Sequence, residues 1–290
     1  MDFPVINILK DYGLIDAAQA DRLFSLIQAN PELPVGRLLI NERMLNEKQL
    51  YRFICKNLGM NPNFIFSDRN YDIAGLTVPK FSVSGDFYGY FPLDEGRLAI
   101  TLSDVSGKGL EAGLLAIELA DLLKQSIKMK SVIPSTLMRK VNTISKEFFG
   151  EEQFATFIIL ILDMHSGTVE FCCAGSPPIL VYRAREKRVE ELDVKGIPVG
   201  IYSDFLFNRG RCNLATGDIL LMYTDGAYEA ESIKKQFYGI ERIKKNLIRW
   251  SSKPTRKILS HFWRDLKIFT LFKGMNDDTT YIAIKKNREV

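Results

Sequence analysis

The sequence predicts an α+β fold: mostly antiparallel strands in two sheets, covered by helix layers and preceded by a small all-helical module. Three observations carry this reading. The first 60 residues repeat themselves at an interval of 30, with helical spacing in both copies. Short apolar runs flank turn signals, as in Ala155–Asp163 and Thr168–Cys173 around Met164-His165-Ser166-Gly167. Long apolar or amphipathic stretches come in pairs, Gly109–Lys128 with Ser135–Phe149 and Ile240–Trp250 with Thr255–Phe269.

Taken in order, residues 1–60 form the helical module. Ile8-Leu9 corresponds to Leu38-Leu39, Leu14-Ile15-Asp16 to Met44-Leu45-Asn46, Gln19 to Gln49 and Arg22 to Arg52. Asp16 and Asn46 are good N-cap residues, and each is followed three positions later by Gln, giving two capping boxes. Leu23 and Ile27, and then Leu50, Phe53 and Ile54, fall at helical spacing. Two helical hairpins packed on each other are expected. Residues 61–70 read as a linker, rich in turn-formers from Asn61-Pro62-Asn63 to Asn70.

Residues 71–290 then alternate strands and helices. Arg97–Ser103 is a strand ending at Asp104, followed by the two helices and the hairpin named above. Ile179–Arg183, Arg188–Leu192, Phe205–Asn213 and Asp218–Tyr223 are further strands. The second helix pair follows, and Thr280–Lys285 closes the chain as a strand.

Composition narrows the chemistry. There are only two histidines, His165 in a hairpin turn and His261 on an amphipathic helix, which argues against a histidine zinc site or a Ser-His-Asp triad. Cys55, Cys172, Cys173 and Cys212 make no CxxC pair and read as free buried thiols of a reducing cytoplasm. No phosphate-binding glycine motif, secretory signal or bilayer-length apolar run is visible, so a cytoplasmic protein without a membrane span is expected.

Four short acidic motifs carry the functional signal. They are Ser84-Gly85-Asp86-Phe87-Tyr88, Ser103-Asp104-Val105-Ser106-Gly107-Lys108-Gly109, Tyr223-Thr224-Asp225-Gly226 and Asn276-Asp277-Asp278-Thr279-Thr280. Each sets an Asp beside a strand end or a glycine turn. Distant aspartates that converge make an all-oxygen site for Mg²⁺ or Mn²⁺. Two such ions activate water and clamp a phosphoryl group, so a phosphate-ester hydrolase is expected.

The same motifs, with Phe154-Ala155-Thr156-Phe157, Asp163, Ser166-Gly167 and Ala174-Gly175-Ser176-Pro177-Pro178 between them, resemble the bacterial protein phosphatase 2C-type serine/threonine phosphatases. The nearest branch is that of sporulation stage II protein E and sigma-factor regulator U. The resemblance spans about Tyr71 to Lys286 and implies an α-β-β-α sandwich. It also implies two Mn²⁺ or Mg²⁺ ions. Asp104 would bridge them, Asp86 and the Val105 carbonyl would complete one, and Asp225 and Asp277 would hold the other, with Asp278 beside them in the ligand set. Hydrolysis would proceed by a metal-activated water with no covalent intermediate. The implied substrate is a phosphorylated regulatory protein, an anti-sigma-factor antagonist of the STAS type, in a partner-switching pathway. A pseudophosphatase that only binds a regulator is the alternative reading.

Three positions depart from the family pattern. Gly89 replaces an Asp, Ser176 replaces a His, and Ser106 stands where eukaryotic relatives carry a general-acid His. The N-terminal module resembles the N-terminal domain of type II secretion and pilus ATPases, some of which bind cyclic di-GMP through Arg-Leu-Gly-type turns. The matching turn, Leu33-Pro34-Val35-Gly36-Arg37-Leu38, lacks the arginine before the glycine. Protein docking or homodimerisation is therefore favoured over cyclic di-GMP binding. Between Lys234 and Lys273 lie twelve basic and two acidic residues, without a nucleic-acid motif, so solvated helix faces or an acidic protein partner are expected rather than nucleic acid.

Overall fold

The protein was analysed as a computed structural model, which describes residues 4–30, 35–46, 49, 63–81, 84–94, 96–107, 109–127, 132–146, 149–150, 152–271 and 276–287. Leu33-Pro34, Leu50, Arg52, Phe53, Ile54, Cys55, Asn61-Pro62, Lys108, Lys128 and Lys273 lie outside the described residues.

The N-terminal helices are α1 (Pro4–Asp11), α2 (Ala17–Ala29) and α3 (Val35–Asn41). The 30-residue repeat is visible in the backbone bonds. The amides of Leu14 and Ile15 both donate to the Leu9 carbonyl, and those of Met44 and Leu45 both donate to Leu39. Both capping boxes close reciprocally, Asp16 with Gln19 and Asn46 with Gln49. An ion pair of Arg22 with Glu42 ties the two copies together.

The strands are β1 (Asn63–Ser67), β2 (Tyr71–Val78), β3 (Phe87–Asp94), β4 (Arg97–Val105), β5 (Ala155–Asp163), β6 (Thr168–Ala174), β7 (Ile179–Arg183), β8 (Arg188–Leu192), β9 (Gly210–Asn213), β10 (Ile219–Tyr223) and β11 (Thr279–Lys286). One sheet runs β1-β2-β11-β10-β7-β8, the other β3-β4-β5-β6-β9, and every pairing is antiparallel. The helices are α4 (Leu110–Ile127), α5 (Pro134–Ser145), α6 (Asp225–Tyr228), α7 (Ile240–Trp250) and α8 (Thr255–Phe269).

Period-2 alternation builds the layers. On β5, Ile158, Leu160 and Leu162 fill the space between the sheets, while Phe157, Ile159 and Ile161 face the helix layer of α4 and α5. On β10, Leu220 and Met222 point between the sheets, and Ile219, Leu221 and Tyr223 pack under α7 and α8. The result is the expected α-β-β-α sandwich.

Three boundaries differ from expectation. The helix expected over Ser135–Phe149 is Pro134–Ser145. The stretch expected as a linker supplies an edge strand: Asn63–Ser67 pairs along β2, with Phe64 and Phe66 packed toward Tyr90. The strand expected over Phe205–Asn213 is shorter, Gly210–Asn213. Phe205 and Phe207 pack edge to face on each other and into the α4–α5 core rather than pairing in a ladder.

The helical module is not set apart from the sandwich. Val5, Ile6, Leu9, Leu38 and Leu39 share one apolar core with Leu114, Leu115, Leu119 and Leu123 of α4. Every residue from Ala112 to Ala120 is buried, so α4 is covered on two sides. Glu118 is enclosed in that contact at 7% exposure and accepts the Val5 amide at the start of α1.

Candidate active site

The four acidic motifs meet at one end of the sandwich. Asp86 precedes β3, Asp104 is the last residue but one of β4, Asp225 opens α6 just after β10, and Asp277 and Asp278 precede β11. Asp104 shares the face of Leu102 and Asp86 that of Tyr88, so both carboxylates open into the mouth between the two sheets.

Glycines allow the close approaches. A Cβ on Gly226 would stand 1.9 Å from the Asp278 carbonyl, so the turn carrying Asp225 lies directly on the Asp277–Asp278 backbone. A Cβ on Gly85 would stand 3.0 Å from the Val105 carbonyl oxygen, which places that oxygen beside the loop carrying Asp86. No larger residue fits the first position without displacing backbone.

Asp86 is buried at 2% exposure, and its Oδ2 accepts the hydroxyls of Thr224 at 2.8 Å and Thr280 at 2.7 Å. Burial and the neighbouring Asp104 and Asp278 push its pKa well up, against the pull of the two threonines. Asp104 is pushed up to about 7, first by burial and then by Asp225 and Asp277, while a hydrogen bond with Asp86 opposes the rise. Buried carboxylates that raise one another in this way share protons in the absence of cations.

Asp278 plays a second part. Its Oδ1 accepts the Lys80 amide at 2.7 Å and its Oδ2 the Gly85 amide at 2.8 Å. It thereby ties the loop before Asp86 to the start of β11. Tyr228 on α6 also belongs to the surroundings, since Asp225 and Asp104 both add to the burial that pushes its phenol up to about 12. Tyr228, Thr224 and Thr280 were not singled out from the sequence. Only the threonines carried a signal, inside the Tyr223–Gly226 and Asn276–Thr280 motifs.

Two of the three departures from the family pattern have defined surroundings. At Gly89 a Cβ would meet the far end of the Phe91 ring and Thr101 Oγ1, so a carboxylate there requires the Phe91 side chain to move. Ser106 is knitted to Phe154: its amide donates to the Phe154 carbonyl and its Oγ accepts the Phe154 amide, both at 2.9 Å. His165 packs beside Gly96 in the β5–β6 turn, and His261 stacks on Trp250. Neither lies among the acidic motifs.

The donor set suits a hard divalent cation. It is carboxylate and carbonyl oxygen without nitrogen or sulfur, and the carboxylates that crowd it are of one sign. Asp86 and Asp104 are in hydrogen-bond contact, with Asp225 and Asp277 at electrostatic range of Asp104. Among the described residues no three His, Cys, Asp or Glu side chains close on a single point, as expected for carboxylates that repel without a counter-charge.

The sequence profile of stage II sporulation protein E (SpoIIE) matches residues 94–287. The chain belongs to the SpoIIE family. It carries that family's PP2C-type phosphatase domain, and the matched stretch includes Asp104, Asp225 and Asp277. The chain is 23% identical over 215 residues to phosphoserine phosphatase RsbU of Bacillus subtilis, covering 74% of this chain and 63% of RsbU. It is 25% identical over 328 residues to protein IcfG of Synechocystis, covering 98% of this chain and 51% of IcfG. It thus spans between half and two thirds of the length of these relatives. The PP2C phosphatase domain of SpoIIE from Bacillus subtilis has the same fold, with a TM-score of 0.65 at 20% identity over 78% of this chain and 70% of that one. Among the described residues, no helix is long and apolar enough to cross a membrane.

Proposed function

We propose that this SpoIIE-family chain is a Mn²⁺- or Mg²⁺-dependent serine/threonine protein phosphatase. The observation that carries the reading is the buried Asp86–Asp104 pair facing Asp225 and Asp277 at the mouth of the sandwich. Two divalent cations, when bound, supply Lewis acidity at the phosphoryl oxygens and a water acidic enough to ionise near neutral pH. Asp86 and the Val105 carbonyl would hold one, Asp225 and Asp277 the other, with Asp104 shared between them.

The chain's own residues set the conditions for that chemistry. With the Asp86 and Asp104 carboxyls both pushed up, cations would compete with protons for them, so cation binding would strengthen as pH rises. Asp278 fixes the Lys80–Asp86 loop from the side, and Gly226 lets the Asp225 turn lie flat on the Asp277–Asp278 backbone. Ser106 is committed to Phe154 and holds the loop after Asp104. The substrate we infer is phosphoserine or phosphothreonine on a bacterial regulatory protein of the STAS antagonist type. Similarity to RsbU, itself named a phosphoserine phosphatase, supports this.

The alternative reading is a regulator-binding pseudophosphatase. Hydrolysis of p-nitrophenyl phosphate with Mn²⁺, with and without chelator, decides between them. The phosphatase reading expects turnover that chelator abolishes. It also expects turnover to survive thiol alkylation, since burial pushes Cys172 and Cys173 up to about 12. Absence of metal-dependent turnover overturns it.

A further inference from the structure

We propose that Thr224 and Thr280 are positioning residues that fix the Asp86 carboxylate for cation binding, and that the two sheets are thereby registered against each other at the site. The inference rests on the metal-dependent reading above and deepens it.

Asp86 belongs to the β3–β4 sheet. The two hydroxyls that hold it come from the other sheet, Thr224 from the end of β10 and Thr280 from β11. Thr224 and Thr280 are 2% and 0% exposed, so water does not compete for these bonds. The direction of each proton is fixed by its surroundings. Thr224 Oγ1 accepts the Thr280 amide at 2.9 Å, which turns its own hydrogen toward Asp86. Thr280 Oγ1 lies 3.1 Å from Thr77 Oγ1 on β2, its register partner. With the Thr280 hydrogen committed to Asp86, the Thr77 hydroxyl is the donor in that contact.

Both hydroxyls land on Oδ2 and neither uses Oδ1. Two donors on one oxygen fix the rotation of the carboxylate and leave Oδ1 as the oxygen that would hold a cation. Without the donors, the contact with Asp104 would be left to restrain a buried carboxylate short of partners. Outer-shell hydrogen bonds of this kind set ligand orientation, and their loss typically costs 10- to 100-fold in metal affinity or activity.

The test measures Mn²⁺ affinity without substrate, by calorimetry or by the loss of the free-ion paramagnetic resonance signal, alongside turnover. Thr224→Val and Thr280→Val keep the shape and delete the hydroxyl. Each is expected to weaken Mn²⁺ binding about tenfold or more. Thr224→Ser and Thr280→Ser keep the hydroxyl and are expected to restore binding to within about threefold of the parent. The double valine variant is expected to fall short of the product of the single effects, because both bonds serve one oxygen. Valine variants that fold and bind Mn²⁺ like the parent overturn the proposal. If a valine variant does not fold, the serine variants decide, and loss of binding in them overturns it. Failure of the parent itself to bind Mn²⁺ overturns the metal reading and the positioning role together, a result distinct from equal binding by parent and variants.

Discussion

The amide of Gly85 donates a 2.8 Å hydrogen bond to Oδ2 of Asp278, across 193 residues of chain. With the Lys80 amide on the other oxygen, one carboxylate secures the whole approach to Asp86. A side chain that only coordinated cations would be neutral or mildly unfavourable without them. A latch stabilises the fold whether cations are there or not.

Asp278→Ala should therefore cost about 2–3 kcal/mol of stability in chelator, from two amide bonds to a charged acceptor. Denaturant unfolding of metal-free protein measures it. An unchanged or raised midpoint would assign Asp278 to the cations alone.

Asp104 sets a pH dependence. Folding raises its pKa from 3.8 to about 7. Such a group favours the fold fully below about pH 4, and that contribution is lost as pH rises through about 7. Metal-free protein should melt at a lower temperature at pH 8 than at pH 5. Asp104→Asn should flatten that slope and melt higher than the parent at pH 8. A parent whose metal-free melting temperature climbs from pH 5 to pH 8 would contradict the repulsive cluster.

Glu118 gives an independent dependence away from the site. Burial between α1 and α4 raises it from 4.5 to about 8, against the Val5 amide. Its contribution to folding is complete below about pH 4.5 and is lost as pH rises through about 8. Proteolytic release of the N-terminal helices should quicken between about pH 5 and 8, and Glu118→Gln should remove that acceleration. Equal cleavage of parent and variant across this range would rule it out.

Much of the fold was legible because local and global signals agreed. The capping residues Asp16 and Asn46, the Met164–Gly167 turn and the α7 and α8 boundaries each rest on contacts close in sequence. The acidic residues were legible because their strand-end and glycine contexts are local too. What escaped depends on distant partners. Asn63–Ser67 has turn-forming neighbours and becomes a strand only because β2 offers it a ladder. The threonines around Asp86 come from the opposite sheet. The docking of the helical module on α4 left one overlooked signal. Ala112–Ala120 is apolar on every face except at Glu118, and a helix like that must be covered on both sides.

That shared core alters what truncation should do. A self-contained module would leave residues 61–290 soluble when removed. Here removal uncovers Leu114, Leu115 and the buried Glu118 on α4. The truncated chain should bind a hydrophobic dye more strongly and run at higher solution mass than the full chain. Unchanged mass and dye binding would show that the module is separable after all.

The most direct measurement is phosphate release from a phosphoserine peptide at saturating Mn²⁺ by the parent and by Asp104→Asn, with folding checked by circular dichroism. The parent should turn over and lose activity in chelator. Asp104→Asn, folded and loaded, should fall by about 10²-fold or more, since the carboxylate we propose to be shared between the cations is gone. Equal turnover by parent and variant, or turnover that chelator leaves untouched, would contradict a phosphatase site built on Asp104.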